Sequence, residues 1–559
     1  MTDNALNPFR RLLLTAGVPT LCILLAASSC LAQTDPYPRD PDLDVQHYRF
    51  ELTLSDDTDV VQGRAAVRVR FRQAGKTSFT LDLVGRDPAG GPEATGMTVS
   101  AVGGPSGPVG FTHARNRLRV ELATPASVDE ERTFTIAYAG VPADGLIIAR
   151  NRYGERTFFG DNWPDRARHW LPSVDHPSDK ATCEFIVTAP AHYRVVGSGA
   201  LVEESDLEGD RRRTHWRTAA PLATKLMVIG AADFAVVDLG EFNGIPQQSW
   251  TYKEDREAGV KSFAVSTRVL EFFSDRFGPF AYAKMAHVQS KTRYGGMENA
   301  SNIFYTEGRA GRPAGWSESL VAHEMAHQWF GDAVSEADWH HIWLSEGFAT
   351  YFTTVYMEHV YGHDRLTERM AGDRNRVVRY WHRQPASPVL DTTIVNLNRL
   401  LSTNSYQKGS WILHMLRFQL GEEVWWEGIR TYYERFMNGN ALSSDFRTVM
   451  EEVSGQNLGP FFNQWLRLPG HPVLQWSWTW NEDSGTLSLS IRQVQESGHL
   501  FSFPLEVGLG TDPSQPLEIA EVEVNAAAEV FVFELDAAPY YVSLDPNVRL
   551  LMEAEFLRN

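Results

Sequence analysis

A multidomain α+β protein is the fold class this sequence predicts, and three observations predict it. The 559 residues exceed what one hydrophobic core usually supports. Apolar residues alternate with period two along residues 36–252 and again along 469–559, the pattern of half-buried strands. Between them, from about Asp255, apolar residues recur at helical spacing. The expected order is a β-rich domain over 36–252, a mainly α-helical domain over 253–468 and a C-terminal β-sandwich over 469–559.

Residues 1–32 read as a signal peptide. Arg10 and Arg11 precede an apolar run from Leu12 to Ala27, and Ser28-Ser29-Cys30-Leu31-Ala32 offers a cleavage site after Ala32. Pro19 interrupts a run already short for a membrane span, and no later segment is apolar enough to span, so no stable membrane insertion is expected after cleavage. The expected location is periplasmic or secreted. Lipoprotein anchoring through Cys30 is the weaker alternative, because Ala27-Ser28-Ser29 lacks the usual leading Leu. Cys22 and Cys30 lie within this segment, which leaves Cys183 as a lone thiol expected to be buried. The net charge of −18 becomes −19 once the signal, with Asp3 against Arg10 and Arg11, is removed. Such an acidic chain is not a nucleic-acid binder.

In chain order, Tyr37 to Asp44 is a Pro-containing linker. Tyr48, Phe50, Leu52 and Leu54, then Val67, Val69 and Phe71, alternate as strands do, and similar runs recur at 79–83, 118–122 and 134–138. Asp87 to Gly110 is rich in Gly and Pro and reads as a loop. Val260, Phe263, Leu270, Phe273 and Phe277 have helical spacing until Gly278-Pro279 stops them. Further helices are expected at 317–330, 345–361, 365–380, 406–420, 424–436 and 444–453. Tail strands are expected at 473–480, 486–494, 503–509, 520–524, 530–535 and 541–544.

The chemistry concentrates in Val321-Ala322-His323-Glu324-Met325-Ala326-His327-Gln328-Trp329-Phe330. On a helix, His323 and His327 share a face and can present two imidazoles to one zinc ion, with Glu324 beside them. The flanking apolar residues imply a buried helix, and buried histidines need partners. Catalytic zinc takes three protein ligands and keeps one position open. Glu346, with eighteen residues between it and His327, is the candidate third ligand, spaced for a second helix to share the ion. Shortly before the motif, Tyr294-Gly295-Gly296-Met297-Glu298-Asn299 combines close-approach glycines with a carboxylate.

Gly295-Gly296-Met297-Glu298-Asn299, the His-Glu-x-x-His and Glu346 together resemble the M1 family of zinc aminopeptidases, the group that includes leukotriene hydrolase. The resemblance extends through Arg166 to Lys180, Trp339 to Ala349, Tyr406 to Gly409 and Phe461 to Leu466, in family order over about 300 residues. It implies a saddle-like N-terminal domain and a thermolysin-like catalytic domain, without the helical fourth domain that many members carry. It also implies one Zn2+ per chain, held by His323, His327 and Glu346, with Glu324 as general base. Tyr406 would donate to the oxyanion, Glu298 would hold the free α-amino group of a peptide substrate, and Gly295 to Asn299 would line the substrate's path.

Two departures stand out. Trp163 occupies the place where the family often has a second amine-binding side chain, with Asp161 and Asn162 as its neighbours, and Ser345 replaces the usual Asn before the third ligand, where it is expected to cap the helix. Zinc-dependent release of N-terminal residues from peptides is the expected function. A thermolysin-like endopeptidase and a catalytically silent binding protein are the alternatives.

Overall fold

The structure is a computed structural model that describes residues 35–91, 93–309 and 315–558. The expected signal, residues 1–32, lies outside the described residues. Among those described, no helix is long and apolar enough to cross a membrane.

The N-terminal region is β-rich, as its alternation predicts. In its nine-stranded sheet, Leu43–Thr53 pairs antiparallel with Val61–Phe71 and parallel with Lys180–Pro190. Val61, Ala65, Val67, Val69 and Phe71 all point into the core, one face of a period-two strand. A three-stranded sheet (78–82, 117–121, 111–114) and a four-stranded one (194–197, 229–232, 156–160, 146–150) complete the region. Cys183 is free and buried, as expected. The loop expected over 87–110 is in part a strand. Gly96–Gly104 pairs with Glu130–Val141, with Met97 and Val102 buried and the register shifting between Val99 and Ala101. That irregularity, amid glycines, breaks the alternation the reading relied on.

The sheet of the middle domain begins before residue 252. Phe234–Phe242 and Ile245–Tyr252 join a five-stranded sheet in which Ile245–Tyr252 runs parallel to Met285–Ser290, and that strand parallel to Asn302–Thr306. Gly296–Met297 pairs at its edge. The change from period two to helical spacing therefore marks an element boundary inside the sheet's own domain. Helices follow at Arg256–Phe263, Ser266–Phe277, Glu318–His327, Trp343–Tyr361, His363–Trp381, Gly409–Leu420, Glu422–Phe436 and Ser443–Ser454.

Trp343–Tyr361 is the central helix, buried without a break from Trp343 to Met357. A helix buried on every side belongs to an interior, and its polar Ser345, Glu346, Thr350, Thr353 and Thr354 are buried with it. Phe348 and Phe352 pack around Phe330, with ring centroids 5.0 and 5.3 Å away. Each such buried aromatic contributes about 1.5–3 kcal/mol. The tail is a sandwich of a four-stranded sheet (528–534, 486–493, 473–481, 553–556) and a three-stranded one (518–524, 503–510, 541–544).

Buried cations join the first domain to the second. Lys180 Nζ donates to the carbonyls of Asp332 and Ala333, at 2.8 and 2.9 Å, in the turn that follows the motif helix. Lys225 Nζ lies 2.6 Å from Glu336 Oε1, with both side chains 1% exposed or less. Two charges so fully desolvated are tolerable only together. Lys225→Met should therefore lower the unfolding free energy by about 3–5 kcal/mol in denaturant titration, and adding Glu336→Leu should recover most of that loss.

Candidate active site

Ser317 opens the motif helix, its hydroxyl accepting from the Leu320 N–H at 3.3 Å. The helix ends at His327, three residues earlier than its apolar pattern suggests. The chain reverses there through Gly331, whose φ of +126° suits glycine. A Cβ on Gly331 would also lie 2.3 Å from Ser345 Oγ and 3.0 Å from His327 Nδ1.

His323 and His327 come together with Glu346 from the central helix. The two Nε2 atoms are 3.2 Å apart, and Glu346 Oε2 lies 3.5 and 3.3 Å from those of His323 and His327. Donors about 2.0–2.1 Å from a tetrahedral zinc are about 3.3–3.4 Å from one another. The triangle has the size zinc requires. Glu346 Oε2 is buried and accepts no hydrogen bond among the described residues. Two neutral imidazoles and one carboxylate are the ligand set of catalytic zinc, with a fourth position for water. The metal of this site is zinc.

Ser345 is not a cap. The helix starts at Trp343, which leaves Ser345 inside the first turn with its hydroxyl 3.0 Å from His327 Nδ1. His327 Nδ1 also faces the Phe330 carbonyl at 3.2 Å. A proton on Nδ1 donated to these two oxygens leaves the Nε2 lone pair for the metal.

Gly296 brings the substrate strand against the motif helix, since a Cβ there would lie 2.2 Å from Glu324 Oε1. Gly295 has nothing within 4 Å of its Cβ position and borders the open cleft. Gln328, whose part the sequence reading missed, ties this strand down. Its Nε2 donates to the Glu298 carbonyl at 2.7 Å and its Oε1 accepts from the Ser301 N–H at 2.8 Å. The signal was its place immediately after His327.

Tyr406 rides a π-helical turn, Asn404–Lys408, and its ring lies parallel to that of His323 with centroids 6.1 Å apart. The turn reaches the central helix where glycine meets glycine. A Cβ on Gly347 would lie 2.9 Å from Gly409 Cα. Burial, then the charge of Glu346, holds the Tyr406 phenol well above its ordinary pKa, so it is a proton donor at neutral pH. Burial also pushes the Glu324 carboxyl well above its usual range, opposed by His327 and reinforced by Glu298 and Glu346.

All the predicted site residues but one line a single cleft of about 240 Å³. The exception is Asn299. It is fully buried and does not line the cleft. Trp163, Tyr294, Leu320 and Leu401 complete the lining. Leu320 was legible as the residue one turn before His323. Asp161 and Asn162 do not line the cleft. Asp161 pairs with Arg166 at 3.0 Å, and Asn162 holds the carbonyls of Thr224 and Met227 at 3.1 and 2.7 Å.

The fold and the site define a class: proteins that set two histidines of a His-Glu-x-x-His helix and a glutamate of the next helix around one metal position. Comparison with known proteins agrees. The peptidase family M1 domain model matches residues 261–465, and the peptidase M1 N-terminal domain model matches residues 44–226. The chain belongs to peptidase family M1. It is 27% identical over 373 residues to a human glutamyl aminopeptidase, covering 63% of this chain and 39% of that one. It is 24% identical to a puromycin-sensitive aminopeptidase of Caenorhabditis elegans, covering 62% of this chain and 39% of that one. The chain thus spans about two fifths of the length of these curated relatives. An M1 zinc metallopeptidase of Deinococcus radiodurans, solved as a mutant with a Tyr-Ser-Ala substrate, shares the fold. The TM-score is 0.65 at 23% identity, over 76% of this chain and 94% of that one.

The hydroxyl of Ser345 orients a ligand, so Ser345→Ala should weaken zinc binding about 10–100-fold in competition with a chelating dye while the circular dichroism spectrum stays unchanged.

Proposed function

We propose that this chain is a zinc-dependent aminopeptidase that removes residues one at a time from the free N-terminus of peptides. One observation carries the reading. A carboxylate oxygen of Glu298 lies within 4.8 Å of the ligand atoms of both Glu324 and His327. The nitrogen and carbonyl carbon of one residue are only about 2.5 Å apart. An ammonium held by Glu298 therefore leaves room for a single residue before the carbonyl that Glu324 and the metal can reach.

Bound zinc lowers the pKa of a water towards about 7 and polarises a carbonyl. Glu324 takes the proton from the attacking water and delivers it to the departing amine. The Tyr406 hydroxyl donates to the oxyanion that develops on the attacked carbonyl. Glu298 forms a charge-assisted hydrogen bond with the substrate ammonium. Gly296–Met297 is an edge strand, so its free backbone groups can pair with the peptide whatever its side chains. With residues 1–32 read as an export signal, the peptides are those met outside the cytoplasm.

Aminoacyl arylamides with free and acetylated amines test the reading on the zinc-loaded protein. Turnover of the free-amine substrates alone is expected, and equal turnover of both would overturn the exopeptidase assignment. Glu324→Ala should abolish turnover with zinc retained. Tyr406→Phe should lower kcat about 10²–10³-fold with a smaller effect on KM.

A further inference from the structure

We infer that the wall of the cleft beside Glu298, built from Trp163 and Tyr294 and continued by Leu401, selects uncharged apolar N-terminal residues and turns away charged ones, acidic ones above all. This rests on the aminopeptidase reading and deepens it to a substrate class.

Glu298 sets where the first side chain goes. An ammonium held there puts the adjoining Cα one bond away, and the side chain falls on whatever wall stands next to the anchor. Tyr294 stands there, four residues before Glu298 on the same segment and close enough for its phenol to feel the Glu298 charge. Trp163 meets Tyr294 edge to face, with centroids 5.8 Å apart and planes at 87°. Behind it, Trp339 packs against Trp163 in the same way at 5.9 Å and 83°. Trp163 is 2% exposed and shares an apolar cluster with Met297 and Trp339. The wall is aromatic and held from behind, so it cannot turn aside to offer a polar group.

Charge points the same way. The charged carboxyl side chains that line the cleft are Glu298, Glu324 and Glu346, and the lining includes no Lys or Arg. The Arg166 guanidinium reaches Tyr294 Oη only at 3.5 Å and is tied to Asp161 at 3.0 Å. Arg293 is paired with Asp144 at 2.5 Å and does not line the cleft. A glutamyl or aspartyl side chain would thus enter a desolvated site with three carboxylates and no lining Lys or Arg to pair with. A lysyl side chain fares better, yet the ammonium, the metal and the proton transfer already engage all three carboxylates. Leucyl, methionyl and phenylalanyl side chains lose water against apolar walls and leave no group unpaired.

A panel of leucyl, methionyl, phenylalanyl, alanyl, lysyl and glutamyl arylamides with the zinc-loaded full chain tests this. Leucyl or methionyl kcat/KM should exceed alanyl about 10-fold and glutamyl about 100-fold or more, with lysyl below both apolar substrates. Leu401→Lys, which adds a cation to the lining, should raise the glutamyl-to-leucyl ratio at least about 10-fold. Trp163→Ala should cut leucyl turnover while sparing alanyl turnover. If Trp163→Ala fails to fold, the Leu401→Lys ratio decides alone. Glutamyl or lysyl turnover equal to leucyl, or a ratio unmoved by Leu401→Lys, overturns the inference and leaves the aminopeptidase reading intact. Failure to cleave any free-amine arylamide overturns that reading instead.

Discussion

Three carboxylates held together away from water are the constraint on which this molecule depends. Glu298, Glu324 and Glu346 are each about 95% buried, and all three converge on His327. Burial alone pushes Glu298 and Glu324 towards the neutral acid, and each raises the cost of charge on its neighbour. Only positive charge keeps such a cluster ionised. The His323–His327–Glu346 triangle answers with a metal, and Lys225 of the N-terminal region opposes the upward shift of Glu298. The β domain thus contributes to the site's electrostatics through Lys225 as well as to its lining through Trp163. Holding the ligands in their triangle and burying the carboxylates are one problem, so metal binding and folding of this region are linked.

Backbone contact is the means by which the cluster is kept small. Gly296 lets the substrate strand touch the motif helix at Glu324, Gly331 turns the chain under His327 beside Ser345, and Gly347 meets Gly409 where the turn carrying Tyr406 crosses the central helix. In each place a single Cβ would push apart two groups that the proposed reaction needs in register. These glycines set distances, whereas the aromatic packing of Phe330, Phe348 and Phe352 makes those distances stiff.

Much of this was legible in the sequence, because the strongest features are periodic or fixed in spacing. His323, Glu324 and His327 share a helix, so their relation follows from 3.6 residues per turn, and Glu346 needed only a ligand count and a plausible separation. The helices were legible from their apolar stripes and the tail strands from alternation. What escaped depends on long-range pairing. Gly96–Gly104 looks like a loop because its glycines and a shifted register hide its partner strand. Phe234–Tyr252 reads as a continuation of the β domain because alternation records a strand but not which sheet it joins. Ser345 looks like a cap because propensity sees a helix start, whereas the helix begins two residues earlier and the hydroxyl finds His327. Asn299 looked like part of the substrate path because it adjoins Glu298, yet its side chain is buried away from the cleft.

Trp163 brings these strands of reasoning together. A single carboxylate fixes where an ammonium sits but not how the residue behind it is turned, since one ion pair leaves rotation about its own axis free. With indole where a second polar contact was expected, orientation has to come from surfaces rather than from another charge. Two are available: the edge strand Gly296–Met297, whose backbone can align a peptide, and the rigid aromatic wall of Trp163 and Tyr294, which admits a side chain from one direction. Positioning by shape costs no desolvation of a further buried ion, in a cleft that already holds three. The replacement of a polar group by tryptophan is therefore coherent with the rest of the site: it shifts recognition from the amine, which every free N-terminus shares, to the side chain, which distinguishes one N-terminus from another.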